Sequence, residues 1–412
     1  MSKRKDFSKI AVCSLDVLNI KNSFPELKEY ERIFVVFKYK DSVVGRSTFK
    51  LENGIVDIDD MKEYVEKISY NIWAAMVKNK FSKQTKLPFV SVVVCSHNRA
   101  GELKNCLESL ANLDYPDKEI IVIDSAPVNN ETYDLLTDYP QFIYYKEERI
   151  GLDIARNTGL RISKGEFVAF TDDDARVDPS WLKNLAENFS NPATAIVTGI
   201  TMPYELETEA QVYFELTNGF NRGFLRREFD SSNLSPVAAG NVGAGVNMAI
   251  RKSVLSEVGL FDEALDGGMP TCSGGDQEFF YRVLLNGYRI VYEPKALVWH
   301  RHRENYQNLK NTIYGYGVGV YAWWTRALFY EREFKMLYFA PLWFANYHLK
   351  NLTKAIFSTA NKIETELAFL EAIGALTGPF KYFKALRRLK KNVTKKVVQI
   401  HSYSPKEILE VE

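Results

Sequence analysis

The run Phe89-Val90-Ser91-Val92-Val93-Val94-Cys95 limits what this chain can fold into more than any other stretch. It is apolar almost without interruption and rich in β-branched side chains, so it reads as a strand. It also lacks the in-and-out alternation of a strand with one wet face. Such a strand must be covered on both sides, which requires helices on both faces of a sheet. The following residues supply them. After Ser96-His97-Asn98-Arg99 comes a helical pattern with Leu103, Cys106, Leu107 and Leu110 on one side. A strand at 119–123 ends in Asp124, a helix at 130–138 leads to a strand at 142–145, and a helix begins after Gly151-Leu152. That helix carries Arg156-Asn157 and Gly159 and leads to the strand Phe167-Val168-Ala169-Phe170. This alternation predicts an α/β domain with a mostly parallel sheet flanked by helices. Ligands of such sheets bind beyond the carboxyl ends of the strands, where Ser96, His97, Asn98, Arg99 and Asp124 stand.

The last of these strands runs into Thr171-Asp172-Asp173-Asp174. Three successive carboxylates repel one another, and the end of a buried strand gives no structural reason for them. A hard divalent cation supplies one, because Mg²⁺ and Mn²⁺ favour carboxylate oxygens and keep positions open for water and phosphate. The bland alternative is a solvated acidic turn ahead of a helix opened by Asp178-Pro179-Ser180-Trp181. Farther on, the small-residue run at 239–251 permits close backbone approach. Ser273-Gly274-Gly275-Asp276-Gln277-Glu278 then precedes a helix through Arg282. Carboxylates at a helix N-terminus are favoured by the dipole, so capping alone would account for Asp276 and Glu278.

Two further regions flank the core. Residues 1–87 read as a small α+β module: a meander of strands at 32–40, 43–51 and 55–58, then a helix capped by Asp59 or Asp60. Its apolar positions are Met61, Tyr64, Val65, Ile68, Ile72, Trp73 and Met76. Residues 82–86 are polar enough for a linker, which sets the central domain at 88–303. Residues 304–412 read as a helical extension. Between 380 and 400 it has eight Lys or Arg residues and no acidic one, with apolar residues every three or four positions. Such a helix either lies on an anionic membrane surface or packs on the core with a solvated basic face. A net charge of +1 gives no global attraction to nucleic acid. Four scattered cysteines without CxxC pairing indicate a reducing, cytoplasmic setting. No apolar run is long enough to cross a bilayer, which leaves the inner membrane face as the only membrane contact expected.

Taken in order, these motifs resemble the family 2 glycosyltransferases from 89 to 302. Residues 92–99 are similar to that family's opening strand and S/T-x-N-R loop. Residues 121–124 are similar to its second strand, whose terminal aspartate contacts the nucleobase. Gly151 through Arg156-Asn157-Thr158-Gly159 resembles G-x-x-x-A-R-N-x-G, and the aspartate triplet resembles the metal-binding DxD. The run at 239–251 looks like G-x-N-x-A-x-R, and residues 273–282 look like G-E-D-x-D/E-x-x-x-R. His97 stands where the family commonly has Tyr or Phe, Ser125-Ala126-Pro127-Val128-Asn129 replaces D/N-x-S/T-x-D after Asp124, and Gly275 replaces Glu.

The resemblance implies a GT-A fold and inverting transfer of a sugar from a nucleotide-diphosphate donor, most commonly a UDP-sugar. The acceptor would be a hydroxyl of a glycan or lipid-linked molecule. It places the donor on Ser96, His97, Asn98, Arg99, Asp124, Arg156, Asp172 and Asp173. A divalent metal (Mg²⁺ or Mn²⁺) would sit on Asp172 and Asp174, the outer pair of the triplet, with His300 as a further ligand. Asp276 would be the general base. A catalytically inactive sugar-nucleotide-binding scaffold is the alternative. A sugar nucleotidyltransferase would need a Gly-rich phosphate loop near the first strand, and none is there.

Overall fold

The computed structural model describes residues 8–81, 87–357 and 362–401, with side chains in the last helix placed through Lys391. The basic start at 1–5, the expected linker at 82–86 and the last basic side chains, Lys395 and Lys396, lie outside what is described. The chain forms two compact units. The first comprises residues up to Arg149, Ala155–Leu260 and Phe279–Leu309; the second comprises Ile150–Ile154, Phe261–Glu278 and residues from Lys310 onward.

The first unit contains two sheets. In the smaller one, β1 (Ile10–Asp16) pairs parallel with β2 (Arg32–Tyr39), which pairs antiparallel with β3 (Ser42–Lys50). β1 was not anticipated, so this sheet is not a simple meander. The single expected helix is two, Ile58–Lys67 and Ser69–Phe81, and its cap is Asp57, whose side chain accepts from Asp59 N. The stripe chosen from periodicity is only half buried: Met61 is buried, whereas Trp73 and Met76 face solvent. Val36 and Val43 of this module share a core with Ile200, Met202, Tyr292 and Leu297. Lys38 pairs with Asp178 at 2.8 Å, and Lys78 pairs with Glu293.

The large sheet is built from β4 (Val90–Ser96), β5 (Lys118–Ser125), β6 (Ile143–Glu147), β7 (Phe167–Asp172), β8 (Ala175–Val177), β9 (Thr194–Pro203), β10 (Arg227–Phe229), β11 (Met248–Arg251) and β12 (Arg289–His300). Its order is β10-β12-β9-β11-β7-β4-β5-β6, with β8 on β12. The expected parallel core is present, because β7, β4, β5 and β6 run parallel in sequence, as do β9 and β12. β11 lies antiparallel between β7 and β9, which makes the whole sheet mixed.

Both faces of β4 are covered. Val92 and Val94 pack with Leu103, Cys106, Leu107 and Leu110 of the helix Ala100–Ala111 and with Trp181, Leu182 and Leu185. On the other face Val93 meets Gly159 of the helix Leu152–Ile162, where a Cβ would come within 2.5 Å of Val93 Cγ1. Only glycine lets that helix lie so close to the sheet.

The second unit is helical. Gly317 of the helix Tyr306–Tyr330 and Gly374 of the helix Lys362–His401 mark a crossing where any Cβ would run into the other helix's backbone. Arg326 pairs with Asp262 at 3.0 Å and with Glu278 at 2.8 Å, and the Tyr382 hydroxyl donates to Asp262 at 2.7 Å. Among the described residues, no helix is long and apolar enough to cross a membrane.

Candidate active site

Strand register assembles the first part of the site. Ser96 of β4 pairs with Asp124 of β5, and Cys95 pairs with Asp172 of β7, so three polar residues foreseen from the sequence share one edge of the parallel core. His300 arrives from the end of β12 because β12 pairs antiparallel with β8, with His300 opposite Ala175. Arg301 N then donates to Asp174 O at 2.9 Å, which fixes the end of β12 beside the triplet.

The three aspartates differ. Asp173 turns back toward β4: it accepts from Ser96 Oγ at 2.8 Å and from Arg99 Nη1 at 2.6 Å. Burial, then the neighbouring Asp174, push its carboxyl up to about 7 against the pull of Arg99. Asp174 Oδ2 accepts from Arg99 Nη2 at 2.8 Å and from Arg303 Nη1 at 2.9 Å. Asp172 lies at the strand end, where burial and then Asp174 raise its pKa while the buried Arg156 pulls it down. Three cations thus attend three crowded carboxylates.

Asp172, Asp174 and His300 each offer one ligand atom, and these atoms lie within 4.8 Å of one another. Hydrogen bonding decides what His300 can offer. Glu215 Oε2 lies 2.8 Å from His302 Nε2, and a carboxylate can only accept, so that nitrogen carries the proton. Burial, then His300, depress the His302 pKa well below its usual value, so the ring is neutral and its Nδ1 is an acceptor. The proton in the 3.2 Å contact between the two Nδ1 atoms therefore belongs to His300. Its Nε2 lies 3.2 Å from the buried Asp174 Oδ1, so as an imidazolium the ring forms an ion pair with that carboxylate. Without the Nε2 proton the same nitrogen offers a lone pair, and with Asp172 and Asp174 it would make a cation site. The donor set, two carboxylates and an imidazole, fits Mg²⁺ or Mn²⁺.

Several of these partners escaped sequence reading. Glu215 lies on the helix Glu209–Thr217, which is not among the elements read from the sequence. The signal was present as Thr208 and Gln211, which form a capping box. Arg46 of β3 pairs with Glu215, so the small N-terminal sheet reaches the histidines at one remove from Asp174. Arg303 lay in plain view in His300-Arg301-His302-Arg303, but nothing local said which carboxylate it would meet.

The residues matched to a nucleobase site sit on the neighbouring loops. Asn98 has φ of 53° and its Oδ1 accepts from Val128 N at 3.0 Å, tying the loop after β4 to the loop after β5. His97 is exposed, with Nδ1 2.5 Å from Ser125 O. Asp124 is buried and accepts from the Tyr144 hydroxyl at 3.0 Å; burial raises its pKa.

Asp276 belongs to the second unit, in the first turn of the helix Gly275–Leu285. It is partly exposed, and its Oδ1 accepts from Gln277 N at 2.8 Å. Glu278 is buried against Arg326. The glycine at 275 has a local cause, because a Cβ there would overlap the carboxylate of Asp153. Arg282 donates to the carbonyls of Val258 and Leu260, where Gly259 takes φ of 80°.

Residues 91–259 match the sequence profile described as "Glycosyl transferase family 2". The chain is 28% identical over 224 residues to "Glycosyltransferase AglE" of Haloferax volcanii, covering 52% of this chain and 67% of that one. It is 30% identical over 218 residues to "Pre-mycofactocin glycosyltransferase" of Mycobacterium tuberculosis, covering 52% of this chain and 43% of that one. Among solved structures it is similar to "GalNAc-T7 with UDP, GalNAc and Mn2+" at 21% identity and a TM-score of 0.44, covering 58% of this chain and 49% of that one.

Proposed function

We propose that this chain, which belongs to the family 2 glycosyltransferases through residues 91–259, transfers a sugar with inversion from a nucleotide-diphosphate donor to a hydroxyl of a glycan or lipid-linked acceptor. The observation that carries the reading is the cluster of Asp172, Asp174 and His300, whose ligand atoms converge within 4.8 Å at the edge of the sheet. These three residues would hold the divalent cation, which when bound supplies positive charge to a diphosphate leaving group. Arg156, Arg99 and Arg303 add fixed guanidinium charge around the same carboxylates, and that fork of donors suits phosphate oxygens. His97, Asn98 and Asp124 are the candidates for reading the nucleobase, with UDP the first donor to try.

The reaction is a single displacement. The Asp276 carboxylate takes the proton of the acceptor hydroxyl as its oxygen bonds to the anomeric carbon. The bond from that carbon to the diphosphate breaks, and its electron pair leaves with the nucleotide. No covalent sugar–enzyme bond forms, so the anomeric configuration inverts. The partly exposed carboxylate of Asp276 supports this role, and the burial of Glu278 in an ion pair leaves that residue structural.

The test is a screen of nucleotide-sugars by thermal shift with and without Mn²⁺, followed by transfer assays on donors that bind. Asp276→Asn is expected to lower turnover by about a hundredfold or more while donor-induced stabilisation persists. Near-normal turnover would remove Asp276 from the role. A wild-type chain that binds donors but never transfers or hydrolyses them would favour the scaffold reading.

A further inference from the structure

Between Phe334 and Ile363 the sequence contains no Asp or Glu, while Lys335, Lys350, Lys354 and Lys362 fall within it. The structure folds most of this stretch into a short helix, Met336–Trp343, a π turn, Phe344–Leu349, and a second short helix, Lys350–Phe357. Met336 and His348 point inward, and Trp324 packs edge-on against Phe339 and Trp343, so the segment is anchored within its unit. Its outward side is apolar: Leu337 is 65% exposed, Tyr338 73% and Trp343 42%, with Leu342, Tyr347 and Leu349 also open to solvent.

Scattered exposed apolar residues are ordinary, but so many in one short segment mark a surface that another phase or molecule covers. The composition discriminates between occupants. Tyr and Trp have an apolar ring and a polar tip, which favours the headgroup level of a bilayer. Lysines without compensating acids complement anionic headgroups. A second copy of the chain would bring the same lysines against one another. A spanning role is excluded by length and by Pro341 inside the first helix. The helix Lys362–His401 repeats the combination on its described part, with Phe380, Lys384, Arg387 and Lys391 exposed.

We propose that residues 334–356 form a membrane-surface contact that seats Leu337, Tyr338, Trp343 and Tyr347 at the headgroup level of an anionic bilayer, with Lys335, Lys350 and Lys354 on its phosphates. The cationic residues at 380–391 alone would give a weak, salt-sensitive attraction; the aromatic segment supplies the apolar part of the binding.

The experiment is co-sedimentation of the full chain with vesicles of phosphatidylcholine alone and of phosphatidylcholine mixed with phosphatidylglycerol. Binding is expected to the mixed vesicles, with a blue shift of tryptophan emission and weakening in high salt. Leu337→Ser with Tyr338→Ser should weaken it about tenfold or more, with the unfolding midpoint unchanged because both side chains are exposed. Lys350→Glu with Lys354→Glu should remove the preference for phosphatidylglycerol without touching the apolar side chains. The proposal fails if the wild-type chain stays in the supernatant with mixed vesicles, or if both variants sediment as the wild type does. It also fails if sedimentation velocity shows a dimer that the Leu337/Tyr338 variant dissolves.

Discussion

Glu215 stands two imidazoles away from Asp174, and its effect on the site should be measurable. It accepts from His302, pairs with Arg46, and through His302 orients the Nδ1 side of His300. Partners of metal-binding histidines commonly tune affinity by about 10- to 100-fold when removed. Glu215→Leu is therefore expected to weaken Mn²⁺ binding within that range in a calorimetric titration without donor. It also leaves Arg46, whose side chain is 25% exposed, without its carboxylate partner, which costs about 1–3 kcal/mol. Arg46→Met combined with Glu215→Leu should recover the part of that loss due to Arg46, while His302 Nε2 stays without its acceptor and the Mn²⁺ defect remains. An unchanged Mn²⁺ affinity in the double variant would show that the chain of contacts does not orient His300. Asp173 also acquires a definite place at this scale. The resemblance put it on the donor, whereas its carboxylate is engaged by Ser96 and Arg99, tying the end of β7 to the loop after β4.

At the scale of elements, the helix Leu152–Ile162 shows how a motif glycine positions the arginine beside Asp172. Gly159 seats the helix against Val93, and Arg156, one turn earlier, is thereby held where its charge lowers the Asp172 pKa. Gly159→Ala should cost about 1–3 kcal/mol by overpacking, read from denaturant unfolding. Val93→Ala makes room, so the double variant should lose about 1 kcal/mol less than the sum of the single losses. Strict additivity would mean that the backbone, not Val93, absorbs the added methyl. The same strands and helices explain what was legible in advance. Apolar runs such as 89–95 announced the buried strands, and an acidic triplet after such a run announced the site, because both are costly unless the fold needs them. The insertion of β11 antiparallel between β7 and β9 was not legible, since pairing between distant segments leaves no local periodicity. Nor could the stripe from Met61 to Met76 reveal that Trp73 and Met76 stay exposed, because periodicity defines a face without saying what covers it.

At the scale of the whole molecule, the net charge is +1 at pH 7, and individual buried groups add their own pH dependence to the profile. Two in the second unit act with opposite sign. Burial raises the Glu371 pKa to about 7, and burial lowers that of His348 to about 4. A carboxyl whose folded pKa is raised stabilises fully below its unfolded value near 4.5, and that contribution is lost as pH climbs toward 7. An imidazole whose folded pKa is depressed contributes fully above its unfolded value near 6.5, and that contribution is lost as pH falls toward 4. Each full shift corresponds to about 3 kcal/mol, reduced to about 1–2 kcal/mol for the solvent access these side chains retain. Within this unit the two opposed slopes offset each other between about pH 4.5 and 6.5. Glu371→Gln removes one slope. The variant should melt several degrees above the wild type at pH 7.5, match it at pH 4, and widen its lead between those limits as Glu371 loses its proton from the unfolded wild-type chain. A variant that melts with the wild type at pH 7.5 would mean that Glu371 is already ionised in the folded state, with its charge reaching water past the helix crossing at Gly317 and Gly374.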